Sequence, residues 1–221
     1  MFLLICFAGN QGCAFAQERP KIGLVLSGGG AKGLAHIGIL KSLEEAGITP
    51  DYITGTSMGS IIGGLYSMGY TADEIREIAL AADWERLLSN KILLDEVVYE
   101  EKNYYGRYIY GVGIRGYKPE FPKGLIEGQK LSNLLSSLTR PVQEISDFSL
   151  LPIPFACVAT DIETGLKVVL NQGSLARSLR ASMAIPTVFT PVEIDGQLLV
   201  DGGLVHNFPV VENLEICLLY T

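Results

Sequence analysis

Short apolar runs that resemble β-strands alternate with helical patterns along this chain. Residues 22–27 are a continuous apolar run, and residues 31–46 repeat apolar positions at helical spacing. Residues 52–56 form a second strand pattern, followed by an almost wholly apolar helix pattern at 58–68. Such alternation is the signature of a mostly parallel sheet with helices on its faces. The sequence therefore predicts an α/β fold.

Capping and turn signals divide the rest of the chain. Thr71 and Glu74 fit a capping box that opens a helix, and Asp195-Gly196 fits a two-residue hairpin turn. The tyrosine-rich residues 104–117 are interpreted as a hairpin on the sheet edge, with a lipid-contacting flap as the alternative. The other predicted elements are helices at 127–138 and 174–183 and strands at 153–160, 167–170, 192–194 and 197–200.

Composition limits the classes of function that the chain can have. Its 221 residues are 48% hydrophobic, which fits one globular domain. The formal net charge of −7 disfavours a protein that binds by neutralising phosphates, so we expect no nucleic-acid partner. No apolar run approaches the roughly 18 residues that a membrane-crossing helix needs, so we expect no transmembrane span.

The first sixteen residues carry no charge and read as a targeting segment. Residues 1–16 resemble a secretory signal that ends in an A-x-A cleavage site, which predicts export and a single mature domain at 17–221. A loose tail on a cytoplasmic protein is the alternative, because the usual positive start is missing. Of the four cysteines, Cys157 and Cys217 would remain, and both are expected to be buried, unpaired thiols.

Ser57 is the most specific candidate for chemistry. It lies in the Gly-Thr-Ser-Met-Gly sequence of residues 55–59, where a predicted strand enters and a small-residue helix leaves. This is the arrangement of a nucleophile elbow, which strains the serine and makes its hydroxyl project. Gly55 and Gly59 would let neighbouring chain approach closely. An ordinary helix N-cap role for the serine is the alternative.

A glycine-rich loop follows the first predicted strand and opens a helix. Backbone N–H groups of such a loop converge on negative charge, as an oxyanion hole for acyl transfer requires. The loop also fits the G-x-G-x-x-G pattern of dinucleotide-binding proteins, but the acid would have to be Asp51, which precedes the second strand instead of ending it. The loop consists of Gly28, Gly29, Gly30, Ala31, Lys32 and Gly33.

A serine nucleophile needs a base, and the chain has two histidines. His36 lies in the helix after the glycine loop, and His206 is too near Asp201 in sequence for an ordinary triad, so both are expected to be structural. Asp201 ends a predicted strand, and Gly202 and Gly203 remove side-chain bulk beside it. A carboxylate acts as a base near neutral pH only in a partly desolvated site. A simple turn is the alternative interpretation.

The three motifs, in this order, resemble those of the patatin-like phospholipases. The similarity covers about residues 21–210 and includes the stretches at 159–161, 180–182 and 207–209. The glycine loop corresponds to the family's oxyanion motif, Ser57 to its serine elbow, and Asp201 with its two glycines to its Asp-Gly-Gly box.

The resemblance implies a three-layer α/β/α fold related to that of cytosolic phospholipase A. It also implies hydrolysis of lipid acyl esters by a dyad of Ser57 and Asp201, with no metal or other cofactor. The substrate would be a lipid or another ester, met through transient contact with a membrane surface. The oxyanion donors carried over are the backbone N–H groups of the loop residues Gly28, Gly29, Gly30 and Ala31.

The sequence departs from the family pattern near its end. Members usually place a helix after the segment that matches residues 207–210, before the next strand. Here residues 211–213 lead almost directly into a strand-like apolar run at 214–220. The sequence therefore predicts a domain that is truncated at its C-terminal end.

Overall fold

A computed structural model describes most of the chain and the whole region of the three motifs. The described residues are 19–89, 98–100, 102, 113–115, 118–120, 124 and 126–219. The signal peptide expected at 1–16 and most of the tyrosine-rich residues 104–117 lie outside them. Export and the hairpin on the sheet edge, with a lipid-contacting flap as its alternative, therefore stay predictions.

One sheet of six strands organises the described chain. Its strands follow the order β1-β2-β5-β8-β7, and β6 also pairs with β5. The pairs β1–β2 and β2–β5 are parallel, whereas β6, β7 and β8 join by antiparallel pairing. The predicted α/β fold with a parallel centre is confirmed. The strands are β1 (Gly23–Leu26), β2 (Tyr52–Thr56), β5 (Phe155–Asp161), β6 (Lys167–Leu170), β7 (Val192–Ile194) and β8 (Gln197–Asp201), with β3 (Gly113–Arg115) and β4 (Lys118–Glu120) in a separate hairpin.

Strands β2 and β8 meet end to end along one edge of β5. Strand β2 pairs with β5 up to Val158, and β8 pairs with it from Ala159 onward. Strand β6 pairs with β5 across both stretches, so it must occupy the opposite edge. Because β2 runs parallel to β5 and β8 runs antiparallel, the carboxyl ends of β2 and β8 point toward each other. We call this meeting point the β5 junction.

Most predicted helices begin and end close to the expected positions, but the start of the helix after the glycine loop differs. The helix predicted from residue 31 starts as a 3-10 segment at Gly30–Ala35 and becomes α-helical only at His36. Gly30 has a φ of 53°, in the left-handed region that glycine adopts without strain, so an α-helix cannot begin there. The α-helices of the described residues are α1 (His36–Glu45), α2 (Met58–Ser67), α3 (Ala72–Ala81), α4 (Trp84–Leu87), α5 (Gln129–Leu138), α6 (Leu175–Ser182) and α7 (Val210–Leu219).

Helices cover both faces of β2, which makes the fold three-layered as expected. On one face, added methyl groups at Gly55 and Gly63 would collide with α2 backbone and with Ile53, so α2 lies directly against the strand. On the other face, Thr54 donates to the Pro209 carbonyl (3.0 Å), just before α7. The alternation of side chains along a strand thus assigns α2 and α7 to opposite faces.

The strand-like run predicted at 214–220 is wrong, because the chain forms α7 there. A short apolar run fits a strand or a buried helix equally well. Glu212 and Asn213, in the first turn of α7, are 1% and 4% exposed and face the sheet. The chain therefore has a helix after residue 210, whereas the truncation expected at the C-terminal end stays a prediction.

The predicted capping box and the predicted two-residue hairpin turn are confirmed. Thr71 and Glu74 form both hydrogen bonds of a capping box at the start of α3. Asp195 and Gly196 both have positive φ, at 51° and 79°, as a two-residue hairpin turn requires. Cys157 is buried and free, whereas the side chain of Cys217 lies outside the description. Among the described residues, no helix is both long and apolar enough to cross a lipid bilayer.

Candidate active site

Ser57 occupies a strained turn between β2 and α2. Its φ of 51° and ψ of −122° are unusual for a residue with a side chain. The turn is tight because Gly55 approaches the Gly59 carbonyl and Gly59 approaches the Leu26 carbonyl, where added Cβ atoms would lie 2.6 and 2.2 Å away. Ser57 stands at the N-cap position of α2, yet its side chain makes no capping hydrogen bond. Its hydroxyl is therefore left for another partner.

That partner is Asp201, at the end of β8. The Ser57 Oγ donates to Asp201 Oδ2 over 2.6 Å, and both residues are 7% exposed. The other carboxylate oxygen accepts the backbone N–H of Gly203 (2.7 Å), and the Thr160 hydroxyl donates to the Asp201 carbonyl (3.0 Å). The β5 junction thus brings together an alcohol and a carboxylate that are far apart in sequence.

Burial makes Asp201 a weaker acid than an exposed aspartate. Desolvation is the largest influence and raises the pKa of its carboxyl group, while the hydrogen bonds from Ser57 and Gly203 oppose it. A carboxylate with a raised pKa accepts a proton more readily. Gly202 permits this burial, since an added Cβ there would lie 2.2 Å from the Val158 carbonyl.

The glycine loop lies beside Ser57, but its four candidate donors are not equivalent. The Gly28 N–H donates to the Asn207 carbonyl (3.2 Å), so Gly28 is not available to an oxyanion. Gly29, Gly30 and Ala31 stand where a 3-10 helix begins, and the first N–H groups of a helix have no partner within it.

Two further loop residues take different places. Gly33 lies against Met58, where an added Cβ would be 2.6 Å from the methionine Cβ. This contact holds the 3-10 segment onto the start of α2. Lys32 is exposed, and its backbone N–H donates to the Gly29 carbonyl (3.1 Å).

An apolar cavity of about 340 Å³ opens beside the serine. Gly30 and Ala31 border it together with Ser57, so the glycine loop and the serine share one wall. The remaining wall is formed by hydrophobic side chains. They are Leu34, Met58, Ile61, Trp84, Leu88, Leu131, Met183, Ile185 and Phe189.

The histidines and the dinucleotide acid are engaged elsewhere. The His36 Nε2 is 2.9 Å from the Ser27 carbonyl, and the His206 Nε2 is 3.5 Å from a Glu212 oxygen. Asp51 lies at the amino end of β2, where it pairs with Arg19 and accepts the Ile22 N–H (2.8 Å). No observation in the described structure favours a nucleotide site at the glycine loop.

Two residues close to the site were not predicted to act there. Asn207 accepts the Gly28 N–H through its backbone carbonyl, and Ser182 accepts the Ser57 N–H (3.0 Å) through its hydroxyl. Both lie in stretches that the family resemblance includes, which was the only signal for them. Hydrogen bonds between residues so far apart in sequence follow from tertiary packing and leave no local pattern.

Comparison with known proteins places these observations in a family. Residues 24–214 match the model of the family described as patatin-like phospholipase. The chain is 33% identical over 195 residues to an uncharacterized NTE family protein of Mycobacterium tuberculosis, covering 88% of this chain and 46% of the relative. It is 37% identical over 200 residues to a patatin-like phospholipase domain-containing protein of Caenorhabditis elegans (87% and 13% covered), and 34% identical over 193 residues to a lysophospholipase of Kluyveromyces lactis (86% and 12% covered).

A solved structure has a related fold. VipD from Legionella pneumophila matches with a TM-score of 0.55 and 18% identity, covering 86% of this chain and 47% of that one. The chain spans about half the length of the first of these relatives, and far less of the longer ones.

Proposed function

The chain belongs to the patatin-like phospholipase family, and from that premise we propose that it is a serine hydrolase of lipid acyl esters. The observation that carries the proposal is the 2.6 Å hydrogen bond from the Ser57 hydroxyl to the buried Asp201 carboxylate. Ser57 is the nucleophile, and Asp201 is the base that activates it.

In the first half of the reaction, Ser57 Oγ attacks the ester carbonyl carbon and its proton passes to Asp201 Oδ2. The carbonyl oxygen becomes an oxyanion, which the N–H groups of Gly29, Gly30 and Ala31 stabilise. Collapse of this intermediate breaks the ester C–O bond. The leaving alcohol takes the proton from Asp201, and the acyl group stays on Ser57.

In the second half, water takes the place of the alcohol. The water attacks the acyl carbon while Asp201 accepts a proton from it. The same backbone N–H groups stabilise the second oxyanion. Collapse releases the fatty acid and returns the proton from Asp201 to Ser57 Oγ. Acid and base roles alternate on one carboxylate, so no histidine takes part.

The cavity supports an acyl chain as the group that is bound. Its wall of hydrophobic side chains suits a fatty-acyl tail and offers few polar groups that could bind a charged headgroup. Because one relative is named a lysophospholipase, we extend the proposal to phospholipid and lysophospholipid esters. Transient contact with a membrane surface would deliver such substrates.

A fluorophosphonate probe tests the nucleophile directly. We expect the probe to label the wild-type protein and Ser57→Ala to abolish labelling. Ser42→Ala is the matched control, because the hydroxyl of this exposed serine on α1 bonds only to the Gly38 carbonyl among the described contacts. Labelling that survives Ser57→Ala would remove the proposed nucleophile.

Hydrolysis of p-nitrophenyl esters tests the base. We expect Asp201→Asn to reduce kcat about 10²- to 10⁴-fold, the usual contribution of a general base. His36→Gln keeps a donor for the Ser27 carbonyl but cannot act as a base, so it should retain most activity. Equal losses in the two variants would contradict the dyad, and lipid binding without turnover would indicate a catalytically silent lipid-binding domain.

A further inference from the structure

The hydroxyl of Ser182 holds the backbone of Ser57. Ser182, the last residue of α6, is fully buried. Its Oγ donates to the Val158 carbonyl over 2.6 Å and accepts the Ser57 N–H over 3.0 Å. A hydroxyl has one proton, and this one is committed to Val158, so its lone pairs are left to face Ser57. The hydroxyl is therefore fixed in orientation.

The Ser57 N–H depends on this acceptor. Ser57 stands at the N-cap of α2, where a backbone N–H has no acceptor within the helix. Ser57 is 7% exposed, so its N–H must find a protein partner. A strained backbone with positive φ also persists only where its surroundings fix it. Ser182 supplies the acceptor that this conformation needs.

Val158 and the two residues after it in β5 link the Ser182 hydroxyl to the position of Asp201. Val158 is the last β5 residue paired with β2, and Ala159 is the first paired with β8, opposite Asp201. Thr160 binds the Asp201 carbonyl through its hydroxyl (3.0 Å). Three successive residues of β5 thus locate both members of the dyad, Asp201 directly and Ser57 through Ser182.

We propose that Ser182 is a positioning residue that sets the distance between the Ser57 hydroxyl and the Asp201 carboxylate. The inference rests on the proposed function. Without the Ser182 hydroxyl, the Ser57 peptide is free to rotate toward another acceptor, and its Oγ moves away from Asp201. Ser182 does not border the apolar cavity, so its loss should slow the chemical step and leave substrate binding unchanged.

The test compares Ser182→Ala with Ser178→Ala. Ser178 lies one turn earlier on α6 and is equally buried at 1% exposed, and no described contact joins it to Ser57. On a soluble p-nitrophenyl ester, Ser182→Ala should lower kcat about 10- to 100-fold with KM changed less than about twofold. Fluorophosphonate labelling should slow in proportion. Ser178→Ala should match the wild type in both measurements.

A third variant separates positioning from folding. Ser182→Cys fills the space of the hydroxyl but offers a poor acceptor, so it should stay folded and still lose kcat. The inference is overturned if either folded variant at Ser182 keeps a kcat within about twofold of Ser178→Ala. A wild type that neither reacts with the probe nor hydrolyses ester would contradict the proposed function itself, whereas an active wild type with an equally active Ser182→Cys contradicts only the role of Ser182.

Discussion

At the scale of single residues, Asp201 is the group of the site whose ionised form is most disfavoured by burial. Its carboxylate is removed from water, and two hydrogen bonds, from Ser57 and Gly203, offset the loss only partly. The raised pKa that follows suits a base, but it makes the ionised side chain unfavourable in the folded protein. The role of base that we propose for Asp201 and the stability of the fold therefore oppose each other.

The pH dependence of stability should show this opposition. Because the pKa of Asp201 is higher in the folded than in the unfolded chain, its favourable contribution is complete below the ordinary aspartate pKa and is lost as the pH rises through the raised value. At pH 7 the ionised carboxylate destabilises the fold. Asp201→Asn should therefore raise the melting temperature at pH 7 while reducing kcat.

Thermal melts at pH 7 and pH 4 check this expectation. The stability gain of Asp201→Asn should shrink at the lower pH, where the wild-type carboxyl group binds its proton. A variant that melts below the wild type at pH 7 would show that the ionised carboxylate is needed for folding.

A substitution at Gly28 would test whether the spacing between the glycine loop and Ser57 matters for activity. An added Cβ would lie 2.6 Å from Asn207 Oδ1 and 3.0 Å from Ser57 Cβ. Gly28→Ala should displace the serine and lower kcat about 10- to 100-fold, since small misplacements of reacting groups are costly. Gly38 on α1 has open space around it, so Gly38→Ala should keep full activity and stabilise the helix by about 0.5–1 kcal/mol. Ester kinetics and urea unfolding of both variants give the comparison.

Among the elements, α2 shows how residue size sets the position of a helix. It packs on β2 through small residues, and its apolar sequence predicted this burial. The sequence did not indicate which glycine sets the closest approach of α2 to the sheet. Gly59 faces the rigid Leu26 carbonyl, whereas Gly63 faces the Ile53 side chain, where an added Cβ would lie 2.9 Å away.

The two glycines should differ in their tolerance of alanine. Gly59→Ala forces α2 away from β1 and should cost at least the 1–3 kcal/mol typical of overpacking. Gly63→Ala meets only side-chain atoms, those of Ile53, Leu26 and Phe155, which can shift, so its loss of stability should be smaller. Urea midpoints of the two variants measure the difference, and equal midpoints would show that backbone and side-chain contacts are equally adaptable here.

At the level of the whole molecule, the cavity is built by parts of the chain that no local pattern connects. Helices α2, α4 and α5 contribute to its walls, as do residues that follow α6. Leu88 borders the cavity and is 40% exposed, so a larger side chain can be accommodated there without rebuilding the core.

Filling the cavity should change the preferred chain length. Leu88→Trp should reduce kcat/KM for long-chain p-nitrophenyl esters about tenfold relative to the acetate, because the acyl tail loses apolar contact area. Leu80→Trp is the control, since Leu80 on α3 is 71% exposed and does not border the cavity. An unchanged ratio in Leu88→Trp would indicate that the acyl chain lies elsewhere.

The sequence by itself determined most of the elements, their order and the candidates for the reacting groups. Apolar periodicity located β1, β2 and α2, and turn chemistry located the Asp195-Gly196 hairpin. These signals are local, since each depends on residues within one or two turns of the chain. The strand predicted at 214–220 was wrong for the same reason. Its apolar residues fit either a strand or a helix, and only packing against the sheet selects α7.

The tertiary structure alone decided how the groups meet. Only the β5 junction brings Asp201 to Ser57, and only the contact with Asn207 removes Gly28 from the free donors of the glycine loop. The role of Ser182 likewise depends on a hydrogen bond across 125 residues. Such contacts are set by strand pairing and by desolvation, which depend on the whole fold, so no short stretch of sequence can specify them.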